Sequence, residues 1–140
     1  MFRALLLFAL LAGCDTVDLG ATPADVNACR PSQQFFVEQI WPNYLSKDFG
    51  GKHCYDARCH DGSGTGGALN LKPPAVPIAF PLPPEWQDIY KGAAEQTECT
   101  IPRSSKIVEK PDGVTTHGGG MLISPTGPEV DLVVQWVTAP

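Results

Sequence analysis

The chain is poor in the features that mark the commoner functional classes. It holds three histidines and two methionines, so any metal-ligating set has little to draw on. Basic residues number ten against fifteen acidic ones, a formal net charge of −5, and they form no cluster. That balance excludes the electrostatic footprint of a nucleic-acid binder. No internal repeat is visible. Ser104 and Ser105 have no placeable histidine partner and the acids are scattered without a catalytic pair, so a hydrolytic enzyme finds no support. The stretch "GSGTGG" at 62–67 lacks the lysine and the strand-to-helix setting of a phosphate loop, and reads as a flexible connection. Long apolar runs are also missing. The run from Ala4 to Leu11, behind Arg3, is too short to span a bilayer as a helix and reads as a secretory signal.

That signal ends "LAGC", and Leu11, Ala12, Gly13 and Cys14 resemble the lipobox of bacterial lipoproteins. The resemblance implies cleavage before Cys14, a diacylglycerol on its thiol and acylation of the new amino group. Two or three acyl chains anchor stably where one does not. The expected organisation is a signal peptide over 1–13, a lipid-anchored tether over 14–28 and one domain over 29–140. The tether, "DTVDLGATPADVNA", has neither helical nor strand periodicity. Loss of Arg3 makes the mature chain more acidic still. The expected place is the bacterial cell envelope, on the periplasmic face of the inner or the outer membrane.

Fourteen glycines and fourteen prolines predict a mainly α fold of three short helices joined by long loops. In "PSQQFFVEQIWPNYLSK", Ser32 is the N-cap and Phe36, Ile40 and Tyr44 repeat every four residues, with Phe35, Val37 and Trp41 widening the apolar surface. Pro42 should end or bend that helix near Trp41. Leu69 and Leu71 of "ALNLKPP" dip into the core. "PPEWQDIYKGAAEQ" predicts a second helix opening at Pro84, with Trp86, Ile89, Tyr90, Ala93 and Ala94 on one face. "PEVDLVVQWV" predicts a third opening at Pro128, apolar nearly all round and therefore buried. The stretch between the last two helices, residues 104–127, reads as loop. Trp41, Trp86 and Trp136 all fall on helix faces, as core residues do.

The chemistry concentrates in "HCYDARCHDG", residues 53–62. Two cysteines followed at once by a histidine is the order of c-type haem attachment, with four residues between the cysteines where the usual motif has two. Covalent haem needs two thiols within reach of the vinyl groups of one porphyrin edge and a histidine that reaches the iron from that side. Contiguity of Cys59 and His60 meets the second need. The first is met if the two extra residues bulge outward. An electron-transfer haem also takes a sixth ligand, and His53 sits too close to the motif to reach the far side. The choice is His117 or Met121, four residues apart in "THGGGML", where glycine backbone can approach a flat macrocycle closely.

The order of elements resembles single-haem cytochrome c domains, and "FFVEQIWPNYL", "CYDARCHDG", "GGALNL", "HGGGM" and "VVQWV" look like the cytochrome c-like lipoproteins of some environmental bacteria. Over residues 32–138 that resemblance implies a small cytochrome c-like fold whose first and last helices cross, with one covalent haem c between His60 and a distal residue. It implies Cys54 and Cys59 as the thioether positions, His60 as the proximal ligand and Met121, ahead of His117, as the distal one. Cys29 and Cys99 would then form a structural disulfide. The expected function is a membrane-anchored monohaem cytochrome, not an enzyme, passing single electrons between redox partner proteins of the cell envelope. The alternatives are a haem-free lipoprotein stapled by a Cys54–Cys59 bridge and acting as a binding or structural module, and a zinc site of Cys54, Cys59, His60 and His117, which an oxidising compartment disfavours.

Overall fold

A computed structural model describes residues 29–63 and 69–139 of the protein. The signal, Cys14, the tether and most of the glycine-rich connection lie outside the described residues.

Ser32 caps the first helix as its sequence position requires, its hydroxyl accepting from the Phe35 N–H at 3.2 Å and satisfying one of the donors a helix start leaves open. Helix α1 opens as one α-turn, Gln33–Phe35, and continues through Phe36–Leu45 wound as a π-helix. The sequence places its end near Trp41, but it runs on through Pro42 to Leu45. A proline ring collides with the carbonyl four residues back. Wider winding relieves that collision, and the Ser46 N–H accordingly reaches five residues back, to the Trp41 carbonyl at 2.8 Å. The winding also sets burial. Phe36, Ile40, Trp41, Tyr44 and Leu45 are buried together, as two stripes, 36–40–44 and 41–45, that each repeat every four residues.

Helix α2 is entered by a tight turn at Pro84–Trp86 and continues as Gln87–Ala94, burying Trp86, Ile89 and Ala93. Its opening proline suits a helix start because the missing N–H is one that no helix would satisfy. Helix α3, Lys106–Glu109, follows a second tight turn at Pro102–Ser104. It lies inside the stretch that reads as loop in the sequence, because four residues are too few to show a period. Burial of Ile107 and Val108 holds it in place. Helix α4, Pro128–Thr138, opens at its proline as expected. It is less buried than its composition suggests: Val130, Val133 and Trp136 face the core, while Leu132, Val134 and Val137 are half-exposed.

The described residues are thus mainly helical, with no strand among them. α4 packs on α1, with the Trp136 ring 5.7 Å from that of Phe36 and its Nε1–H donating to the Ser32 carbonyl at 3.0 Å. An aromatic cluster extends from there, since Trp41 meets Trp86 edge-on at 4.6 Å and stacks on Tyr55 at 6.0 Å. Such pairs add to area burial. Leu71 is buried and Leu69 packs on the core edge.

A disulfide joins Cys29 to Cys99, 70 residues apart, and ties the entry of α1 to the loop after α2. Nearby, the Tyr90 hydroxyl donates to the Pro31 carbonyl. Closing a loop of that length stabilises the native state by about 4 kcal/mol in the chain-entropy model. A Cys29→Ser/Cys99→Ser variant should therefore lose about 4 kcal/mol in urea unfolding. A midpoint equal to that of the parent would contradict this.

Candidate functional site

Two loops and the short helix α3 enclose a cavity of about 370 Å³ against the inner end of α1. Its floor is apolar, from Leu45, Leu69, Leu71, Ile107 and Leu122. Into it project Cys54, Cys59, His60 and His117, four of the residues that the sequence singles out.

The cysteine loop folds back on itself through backbone hydrogen bonds. The Cys59 N–H donates to the Asp56 carbonyl at 2.8 Å and the His60 N–H to the Cys54 carbonyl at 3.0 Å. Four residues between cysteines are accommodated by Arg58, whose φ of 67° is left-handed, a conformation that costs a non-glycine residue roughly 1 kcal/mol. Ala57 and Arg58 are exposed while both cysteines are half-buried. The two extra residues bulge outward, and the cysteines stay on the cavity. Both are thiols, not bonded to each other, so the Cys54–Cys59 bridge of the haem-free reading is not formed.

His60 is fixed by the segment at 69–71. Its Nδ1 donates to the Leu69 carbonyl at 3.1 Å, and the Leu71 N–H donates to the His60 carbonyl at 2.6 Å. His117 is fixed within its own turn: its Nδ1 donates to the Gly120 carbonyl at 3.0 Å, and the Gly120 N–H returns to the His117 carbonyl at 3.0 Å. A carbonyl can only accept, so each Nδ1 carries the proton and each ring has its basic lone pair on Nε2. That is how protein scaffolds prepare an imidazole for a metal.

The two rings lie with centroids 6.2 Å apart and planes 14° from parallel. An imidazole nitrogen binds a metal at about 2.0 Å and lies roughly 1.1 Å from its ring centre, so two rings aligned on one metal have centres about 6 Å apart. The observed centroid separation is close to that length. Two of the three glycines of the loop, Gly119 and Gly120, are needed for it. A Cβ on Gly119 would meet the His117 ring at 3.0 Å, one on Gly118 would meet nothing within 4 Å, and Gly120 has a φ of 75°.

Met121 is placed differently from the expectation drawn from the resemblance. It is 70% exposed, lies outside the cavity and packs over Gly113, whose Cβ would meet the methionine sulfur at 3.7 Å. The physical reason is the turn at 117–120: closing it turns the chain, so residues four apart leave on different sides. Of the two residues on this loop that the sequence singles out, His117 lines the cavity and Met121 does not. A structural zinc needs about four converging donors, and among the described residues no three of His, Cys, Asp or Glu converge on a point.

Other wall residues escape a reading of the sequence. Tyr44 is buried at the end of α1 and donates to the Ile107 carbonyl, which ties α1 to α3 across the cavity. Burial, then the neighbouring Cys54, pushes its phenol far above its ordinary value. Lys106 and Lys110 also line the cavity, and a four-residue helix gives no periodic signal that would reveal them. His53 also lines the cavity, where it pairs with Asp56 at 3.4 Å and stacks on Tyr55 at 5.1 Å.

No protein-family model, curated protein or solved structure matches the chain. The function must come from the site.

Burial, with Cys59 next, pushes the Cys54 thiol up to about 11. An unfolded cysteine ionises near 8.5, so above that pH the unfolded chain loses its proton first and the native state loses stability as pH rises. In the protein with both thiols unmodified, alkylation of Cys54 followed by peptide mass analysis should still be accelerating at about pH 10, where an ordinary thiol has levelled off. Levelling off near pH 9 would place Cys54 in water instead.

Proposed function

We propose that the protein is a single-haem c-type cytochrome of the bacterial cell envelope, tethered by lipid on Cys14, with His60 and His117 as the two axial ligands. The observation that carries this reading is the pair of imidazoles lining one apolar cavity, each anchored through Nδ1, beside two thiols on its wall. The helical fold with α1 against α4 is compatible with the cytochrome c-like fold that the sequence resembles, and that fold is part of the proposal.

Haem, when bound, supplies a one-electron iron couple. The chain supplies the rest. Cys54 and Cys59 are the thiols for covalent attachment, held on one wall by the closed 54–60 loop. His60 follows Cys59 directly, and its ring is held by the Leu69 carbonyl. His117 closes the other side on a loop whose glycines leave space for a flat group. Leu45, Leu69, Leu71, Ile107 and Leu122 exclude water, which favours electron transfer over binding of a small exogenous ligand. Two imidazoles, rather than an imidazole and a thioether, set the potential below that of a histidine–methionine site. The partners are redox proteins at the same membrane surface, exchanging single electrons.

The test is absorption spectroscopy of the protein exported in a host with haem-attachment machinery, before and after dithionite and after an acid-acetone wash. The expected result is a sharp reduced α-band from haem that stays with the chain. His117→Ala should lose the six-coordinate spectrum, whereas Met121→Leu should keep it. A colourless protein, or loss of that spectrum in Met121→Leu alone, would contradict the proposal.

A further inference from the structure

The chain is acidic, at −5 overall with ten lysines and arginines. Yet Lys52, Arg58, Lys106 and Lys110 all line the one cavity that holds the imidazoles and thiols, and no acidic residue is among its described lining. A cluster of cations around an apolar floor suits a ligand that is apolar and flat in its body and anionic along an edge.

The four cations are not equivalent. Arg58 lies between Cys54 and Cys59, and Lys52 just before them, so both belong to the wall that carries the thiols. Lys106 and Lys110 come from α3 and its C-terminal residue, where the Lys110 N–H donates to the Lys106 carbonyl at 3.3 Å. Residues four apart on a helix share a face. Among the described residues neither is in an ion pair, the acids Asp56, Glu129 and Asp131 being paired with His53, Lys47 and Arg103.

Their backbone is held at both ends. The buried Ser105 hydroxyl accepts from the Glu98 N–H at 2.9 Å and donates to the Pro102 carbonyl at 2.5 Å. Beyond the helix, the Pro111 carbonyl accepts from the Leu122 and Ile123 N–H groups at 2.7 and 3.2 Å. Between them, the Ile107 carbonyl takes the Tyr44 hydroxyl. This small helix is thus fixed more firmly than its length alone would allow.

Resting on the reading above, we propose that Lys106 and Lys110 hold the two carboxylates of the bound porphyrin. A porphyrin of this type carries its vinyl groups and its carboxylates on opposite edges. With the vinyl edge committed to Cys54 and Cys59, the carboxylate edge turns from the cysteine wall toward the cations of the other element. The paired lysines fix the rotation of the ring in its slot and neutralise charge that would otherwise lie at the mouth of an apolar cavity.

The test uses the haem-loaded protein and three variants: Lys106→Gln/Lys110→Gln, Lys106→Arg/Lys110→Arg, and Lys52→Gln. Haem content is read first, then the propionate-bending mode by resonance Raman, then the midpoint potential. The expected result is one haem per chain throughout, a displaced propionate mode and a lower potential in the double glutamine variant, and a mode close to the parent's in the double arginine variant and in Lys52→Gln. A propionate mode unmoved in the double glutamine variant, at one haem per chain, would overturn the assignment while leaving the cytochrome reading intact. A parent protein without haem would overturn both.

Discussion

Leu69 and Gly120 each offer a backbone carbonyl to a histidine Nδ1, and the chemistry of the cavity depends on those two bonds. They fix which nitrogen carries the proton, they fix the ring orientations, and they leave Nε2 as the basic atom on both rings. They tie His60 and His117 to backbone on two separate loops. The separation of 6.2 Å and the near-parallel planes follow from two independent loops converging on one space. Neither loop determines the pair alone.

The rest of the fold can be understood as support for that convergence. Loops rich in glycine bury little surface and are stabilised only weakly by their own contacts. Here they are held by what surrounds them: the π-wound end of α1 puts Tyr44 and Leu45 under the cavity, Tyr44 ties α1 to Ile107, and the Pro111 carbonyl takes the far end of the His117 loop. The aromatic cluster of Phe36, Trp41, Trp86 and Trp136 supplies the core behind it, and the Cys29–Cys99 bond ties the entry of α1 to the loop after α2.

Much of this was legible in the sequence, for physical reasons that also explain what was not. Ser32, Pro84 and Pro128 mark helix starts because capping and the missing proline N–H are local properties. The four-residue repeat of Phe36, Ile40 and Tyr44 marks α1, but rules for an α-helix put its end at Pro42, since they do not anticipate a wider winding that tolerates the ring. α3 was hidden because its four residues are stabilised by Ile107, Val108 and Tyr44, which are tertiary contacts. Chain order could place His117 and Met121 only on the same loop. Which of them lines the cavity with His60 is decided by the turn that Gly120 closes, and a turn's direction relative to a distant loop is not a local property. The cysteine spacing was legible as an anomaly, and its accommodation by a left-handed Arg58 could be seen only in three dimensions.

The central claim is that His60 and His117 are the two axial ligands of one iron. The most direct measurement is the low-temperature electron paramagnetic resonance spectrum of the oxidised protein, taken with its far-red absorption. Two nearly parallel imidazoles predict a well-resolved rhombic low-spin signal and no sulfur-to-iron charge-transfer band. That charge-transfer band, or a high-spin signal, would show that His117 is not the ligand and contradict the account.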